Sequence, residues 1–206
     1  MQKVFVLEKD YDHLLDMDDD ASHIPFKESN FFGSRIMGIR NVELPAIIYC
    51  QANFDCIPKY DFPIVDIADS IFSDRLFAIF VKTGVAPYRS VPVTMLDDTY
   101  MADPLDKNGK PKTDIKAITS YCAIQLMAYT EAFDPANAVF DPHELFPDQV
   151  GYIKKMVLKR PQDGFPGLFR IKESPERLFV NDTAKSEIEK QGIIGCVFNE
   201  VAVSNG

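Results

Sequence analysis

No apolar run in the chain reaches the roughly 18 residues that a membrane-crossing helix requires. The amino terminus, Met1-Gln2-Lys3-Val4-Phe5-Val6-Leu7-Glu8, lacks the basic segment and long apolar core of a secretion signal, so a cytoplasmic protein is expected. Positive charge is also scarce. There are 22 Lys and Arg against 31 Asp and Glu, for a formal net charge of −9 and a pI of about 4.8. General nucleic-acid binding needs cations that displace phosphate counterions, and docking on an anionic membrane needs them too, so neither partner is expected. A basic protein surface, by contrast, would be steered towards such a chain.

Motifs for chemistry are absent as well. Neither GxGxxG nor GxxxxGK[ST] occurs among the ten glycines, and there is no GxSxG elbow and no HExxH helix. Cys50, Cys56, Cys122 and Cys196 follow neither a CxxC nor a zinc spacing, and a chain of this length does not need them as staples. They read as free thiols in a reducing compartment. The three histidines, His13, His23 and His143, have no identifiable nucleophilic partner in sequence. No cofactor, no metal and no catalytic residue is therefore assigned, and an enzyme is not expected.

What is present suits a folded domain. The 206 residues are 46% hydrophobic and 26% charged, ordinary values for a globular chain able to bury its own core. A single domain over 1–206 is expected.

Lys3–Leu7 reads as a short strand and Leu44–Gln51 as a buried one. Ile64–Ile71 is extended and apolar. Ser73-Asp74 is a helix cap, Leu76, Phe77, Ile79 and Phe80 form an amphipathic stripe, and Gly84 ends the helix. Val85–Met95 returns as a strand interrupted by Pro87 and Pro92. Asn108-Gly109 signals a tight turn. Ser120–Tyr129 alternates among mostly apolar residues, as a strand buried on both faces would. Residues 133–147 are turns and short extended pieces, Tyr152–Leu158 is a strand, and another begins over Leu168–Ile171.

The end of the chain repeats the middle. Phe179-Val180 leads into the cap Asn181-Asp182, a helix over Thr183–Gln191, Gly192, and a strand over Ile193–Val201. Ser73 to Gly84 and Asn181 to Gly192 are both steps of eleven residues. Two related strand–helix–strand units, within 64–95 and 176–201, suggest an internal duplication. The expected fold class is α+β, with a mixed or mostly antiparallel sheet and two short helices.

Charge is unevenly spread. Residues 1–20 hold seven acids against Lys3 and Lys9, whereas Lys154–Lys190 holds nine cations and six acids. Asp10, Asp12, Asp16, Asp18, Asp19 and Asp20 form an acidic face that is either solvated or presented to a protein partner. Phe31 and Phe32 are candidate apolar anchors beside it. Asp16-x-Asp18-x-Asp20 has the opening spacing of a calcium loop, but Ala21 and Lys27 stand where that loop needs Gly and Glu. Arg170 is either an anion ligand or a structural charge.

The stretch from Pro166 to Val201 also carries a series of family-like motifs. Phe169-Arg170-Ile171 leads into Ser174-Pro175-x-Arg177-Leu178-Phe179-Val180, followed by a helix, Gly192-x-x-Gly195 and a closing Phe198. It resembles the C-terminal half of the polymorphic-toxin immunity proteins first described as an uncharacterised Myxococcus-type domain, the eleventh immunity family. Ile71-Phe72-Ser73-Asp74-Arg75-Leu76 through Gly84 to Pro92-Val93 is similar to that family's earlier helix unit, and Asp134–Phe140 to its short aspartate and Val-Phe segment. The resemblance spans about residues 60–201, while 1–60 carries none. It implies a cytoplasmic protein that binds and neutralises a cognate toxin from a bacterial competition system such as type VI secretion, and it transfers no catalytic residue. The acidic residues above and Phe31 and Phe32 would then be toxin-binding, facing a basic active-site cleft. Two rival functions are an enzyme that reverses a toxin's modification and a non-inhibitory effector adaptor.

Overall fold

The computed structural model describes residues 2–12, 20–25, 43–66, 70–100 and 102–204. Among them the fold is α+β, with twelve strands and two helices in curled, mostly antiparallel sheets. In chain order the first strands are β1 (Val4–Lys9), β2 (Ala21–His23), β3 (Ile48–Ala52) and β4 (Ile71–Ser73). Helix α1 (Asp74–Thr83) follows, then β5 (Tyr88–Asp97), β6 (Ala117–Leu126), β7 (Val139–Pro142), β8 (Val150–Lys155), β9 (Val157–Lys159), β10 (Phe169–Ile171) and β11 (Ser174–Asn181). Helix α2 (Asp182–Lys190) and β12 (Cys196–Ser204) complete the chain.

Local chemistry sets the helix ends. The Leu76 N–H donates to Ser73 Oγ at 3.1 Å, and the Ala184 N–H donates to Asn181 Oδ1 at 2.8 Å. Each cap thus satisfies one N–H that has no partner within its helix. Gly84 and Gly192 both lie at positive φ, 91° and 61°. At Gly192 the chain closes with Gly192 N–H to Glu189 O and Ile193 N–H to Ile188 O, the paired bonds of a left-handed helix stop. The buried stripe of α1 is Leu76, Ile79 and Phe80, and that of α2 is Ala184 and Ile188.

The two five-stranded sheets run β2-β3-β5-β6-β4 and β10-β11-β1-β12-β9. In the first, β4 and β5 flank β6 and are antiparallel to it, and β3 lies parallel beyond β5. In the second, β11 and β12 flank β1 and are antiparallel to it, and β9 lies parallel beyond β12. Four strands and a helix therefore match, neighbour for neighbour and direction for direction. The middle strand is the difference: β6 follows its helix unit, whereas β1 comes from the start of the chain.

The two modules share one core. Phe62, Phe72 and Phe80 interlock with ring centroids 5.0 and 5.3 Å apart, and Phe165, Phe169 and Phe179 stack at 5.7 and 5.4 Å. Both triads belong to one apolar cluster that also contains β1 and both helices. A second cluster fills the opposite face of the first sheet, around Ile48, Cys50, Val93, Met95 and Ala123. Polar ties cross the junction. Asp61 is buried; it accepts from Ser73 Oγ at 2.6 Å, from the Ile194 N–H at 3.1 Å and from Arg75 at 3.3 Å. Arg75 also donates to the Gln191 and Gly192 carbonyls, at the negative end of the α2 dipole.

Some boundaries differ from the pattern in sequence. The expected strand Val85–Met95 is β5, and Pro92 lies inside it rather than breaking it. Pairing with β3 begins only at Val93, so Pro92 occupies a stretch bordered by β6 alone. Tyr152–Leu158 divides at Met156, because β8 pairs with β7 and β9 joins β12. The strand expected over Ile64–Ile71 is reduced to a bridge between Ala21 and Val65 and the short β4; residues 67–69 lie outside the described residues. Strand β6 is buried on both faces only from Tyr121 onward.

Candidate binding surface

The described acidic candidates differ in exposure. Asp10 is half-buried, with its carboxylate accepting the Asp12 N–H at 3.0 Å, and Asp12 is exposed. Asp20 is 4% exposed, so it does not belong to a presented acidic face. Its carboxylate accepts the Ile64 N–H at 2.8 Å, and the Asp20 and Ala21 N–H groups both donate to the Ile64 carbonyl. A buried main-chain N–H needs an acceptor, which is why an acid stands here. Asp16, Asp18, Asp19, Phe31 and Phe32 lie outside the described residues. Among the described residues no group of three or more His, Cys, Asp or Glu side chains could hold a metal, and no helix is long and apolar enough to cross a membrane.

Other singled-out side chains are structural. Arg170 is buried; its guanidinium donates to Ser70 Oγ at 3.0 Å and to the Pro175 carbonyl, tying the two sheets together. Burial, reinforced by the Asp66 charge, pushes the Cys50 thiol up to about 12, and burial with Asp74 does the same to Cys122. Thiols shifted this way are almost wholly protonated at neutral pH and are poor nucleophiles. His23 turns to Asp66, whose carboxylate lies 3.0 Å from its ring nitrogen and also accepts its main-chain N–H.

Among the described residues a prominent surface feature joins the short extended pieces expected over 133–147 to the strand expected over Tyr152–Leu158. Strands β7 and β8 form a separate two-stranded arm, paired through Val139 with Lys155, Phe140 with Ile153 and Pro142 with Val150. The arm has two faces, and irregularities in its pairing, between Val139 and Phe140 and between Phe140 and Pro142, break strict alternation. Phe140, Val150 and Ile153 pack against the main core, with Phe140 edge-on to Phe133 at 5.7 Å. Val139 and Tyr152 face outward, and Leu145 and Phe146 occupy the tip. Their exposures are 50%, 72%, 78% and 56%, which places four large apolar side chains in water on one element. Gly151 permits the strands to close, since a Cβ there would lie 2.8 Å from the Pro142 carbonyl oxygen. A cleft of about 710 Å³ separates arm and body; Tyr129, Phe133, Phe140, Lys159 and Lys172 are among its walls.

The tip is held by its own hydrogen bonds. His143 N–H donates to Gln149 O at 2.9 Å, Phe146 N–H to His143 O at 3.2 Å, and Gln149 N–H to Phe146 O at 2.8 Å. The Leu145 N–H donates to His143 Nδ1 at 3.2 Å, and the His143 ring lies 5.4 Å from that of Phe146. The signal in sequence was Leu145-Phe146 between Pro142 and Pro147, with Tyr152 beyond. That pattern is indistinguishable from a buried turn until the fold shows which face is covered.

No protein-family model matches the chain, and no curated protein matches it.

Proposed function

We propose that the protein binds a cognate toxin or effector of a bacterial competition system in the cytoplasm of the producing cell and neutralises it by covering its active site. The observation that carries this reading is the β7–β8 arm. Exposed aromatic and aliphatic side chains clustered on one element are what protein interfaces are made from, and an isolated domain gains nothing by wetting them. The motif resemblance over residues 60–201 and the net charge of −9 support the same reading.

The test is co-expression with the product of the gene directly upstream, scored by growth, followed by titration of the purified pair. The expected result is rescue with an endpoint at one-to-one and a stable complex. Rescue at far below one-to-one would replace occlusion with enzymatic reversal. A complex in which the toxin stays active would make the chain an adaptor. The absence of both rescue and complex would overturn the proposal.

A further inference from the structure

Resting on that neutralisation reading, we infer that the toxin-contacting element is the β7–β8 arm, and that it docks into a basic, apolar-walled cleft on the toxin. Across the arm, residues 139–155, Asp141, Glu144 and Asp148 stand against Lys154 and Lys155, and both lysines lie at the base of β8, away from the tip. Asp134 is buried at the root of the arm, and Asp141 pairs with Lys154 at 2.6 Å. Glu144 and Asp148 are exposed, flank Leu145-Phe146 and have no ion-pair partner among the described residues. The tip therefore offers an apolar wedge between two available negative charges.

Charge decides among possible occupants. A second copy of the chain, docking tip to tip, would set Glu144 and Asp148 against their own equivalents, and like charges brought together at an interface repel. Nucleic acid and anionic membrane are repelled for the same reason. A basic protein cleft attracts the acids during approach and gives Leu145 and Phe146 a place to leave water.

Order decides the rest. The four hydrogen bonds within residues 143–149 and the packing of Phe140 and Ile153 on the core hold the wedge before a partner arrives. Little conformational freedom is then lost on docking. Asp20 itself is buried within the fold and is not available for this role.

The experiment uses the full chain and the upstream gene product, with affinity measured at 50 and 300 mM NaCl. Leu145→Ala/Phe146→Ala removes the wedge, and Glu144→Gln/Asp148→Asn removes the charge. All four side chains are exposed, so unchanged melting temperatures should accompany both variants. The wedge variant is expected to lose about 100-fold in affinity at either salt. The charge variant is expected to lose about tenfold at 50 mM, mostly in association rate, and much less at 300 mM. Wild-type binding with both variants within threefold of it would overturn the arm as the contact while leaving neutralisation intact. A wild-type dimer in sedimentation that the wedge variant abolishes would overturn the toxin as occupant. Wild type that neither binds nor rescues would remove the neutralisation reading, and this inference with it.

Discussion

Two aspartates show how single side chains do structural work in an acidic protein. Asp61 accepts a cap hydroxyl, a main-chain N–H and a guanidinium drawn from both modules. In Asp61→Ala, the buried Ser73 hydroxyl and the Ile194 N–H would lose their acceptor, at about 1–3 kcal/mol for each stranded group. We expect a loss of about 2–4 kcal/mol in urea unfolding, well above the loss for Asp12→Ala on the exposed surface. Asp134 is a case where pH reports the same principle. Hydrogen bonds from Ser204 and Asn137, then from the Ala136 and Asn137 main chain, hold its carboxyl below the ordinary aspartate range. A depressed carboxyl contributes stability that is present above its unfolded value, about 3.9, and is lost as pH falls through the folded one. Asp134→Asn should therefore be less stable than wild type at pH 7. The gap should close below about pH 4, and a gap unchanged at pH 3 would contradict the assignment.

Among the elements, β1 is the one whose position is hardest to anticipate. It is the chain's first strand, yet it forms the middle of the C-terminal module, with Val6 opposite Phe179 on one side and Asn199 on the other. A charge at Val6, which is buried between two strands, has no partner and no water. Val6→Asp is expected to cost about 4 kcal/mol or more in chemical unfolding. The same change at Val139, on the outward face of β7, is expected to stay within about 0.5 kcal/mol. Equal effects at the two positions would contradict the placement of both strands. The helices are simpler, because their ends are set by residues within a few positions of each other. Ser73 and Asn181 cap by bonding three residues ahead, and Gly84 and Gly192 stop the helices with a backbone conformation other residues resist.

Across the whole molecule, two matched strand–helix–strand modules share a phenylalanine-rich core, and the arm stands apart from both sheets. Rigidity of the body and exposure of the arm are complementary. The body holds the arm's root through Phe133 and Phe140, so the partner proposed above would meet a preset wedge. Binding at this scale predicts a one-to-one endpoint in the titration described above. It also predicts that the affinity divides into a salt-independent apolar part and a salt-dependent acidic part.

The α+β class, both helices with their caps and stops, and most strand segments were legible in the sequence alone. They depend on periodicity and on bonds between near neighbours, and those are written locally. The acidic balance was equally plain, because charge is additive along a chain. Tertiary structure decided everything that depends on which distant segments meet. It placed β1 between β11 and β12, let Pro92 sit inside β5 at a stretch β3 does not reach, and parted β8 from β9 at Met156. It also decided burial, which composition does not carry. Asp20 and Leu145 show this most clearly: the acid lies inside against the Ile64 N–H, and the leucine stands in water. A residue's type states what its side chain prefers, and only the packed chain determines whether that preference is met.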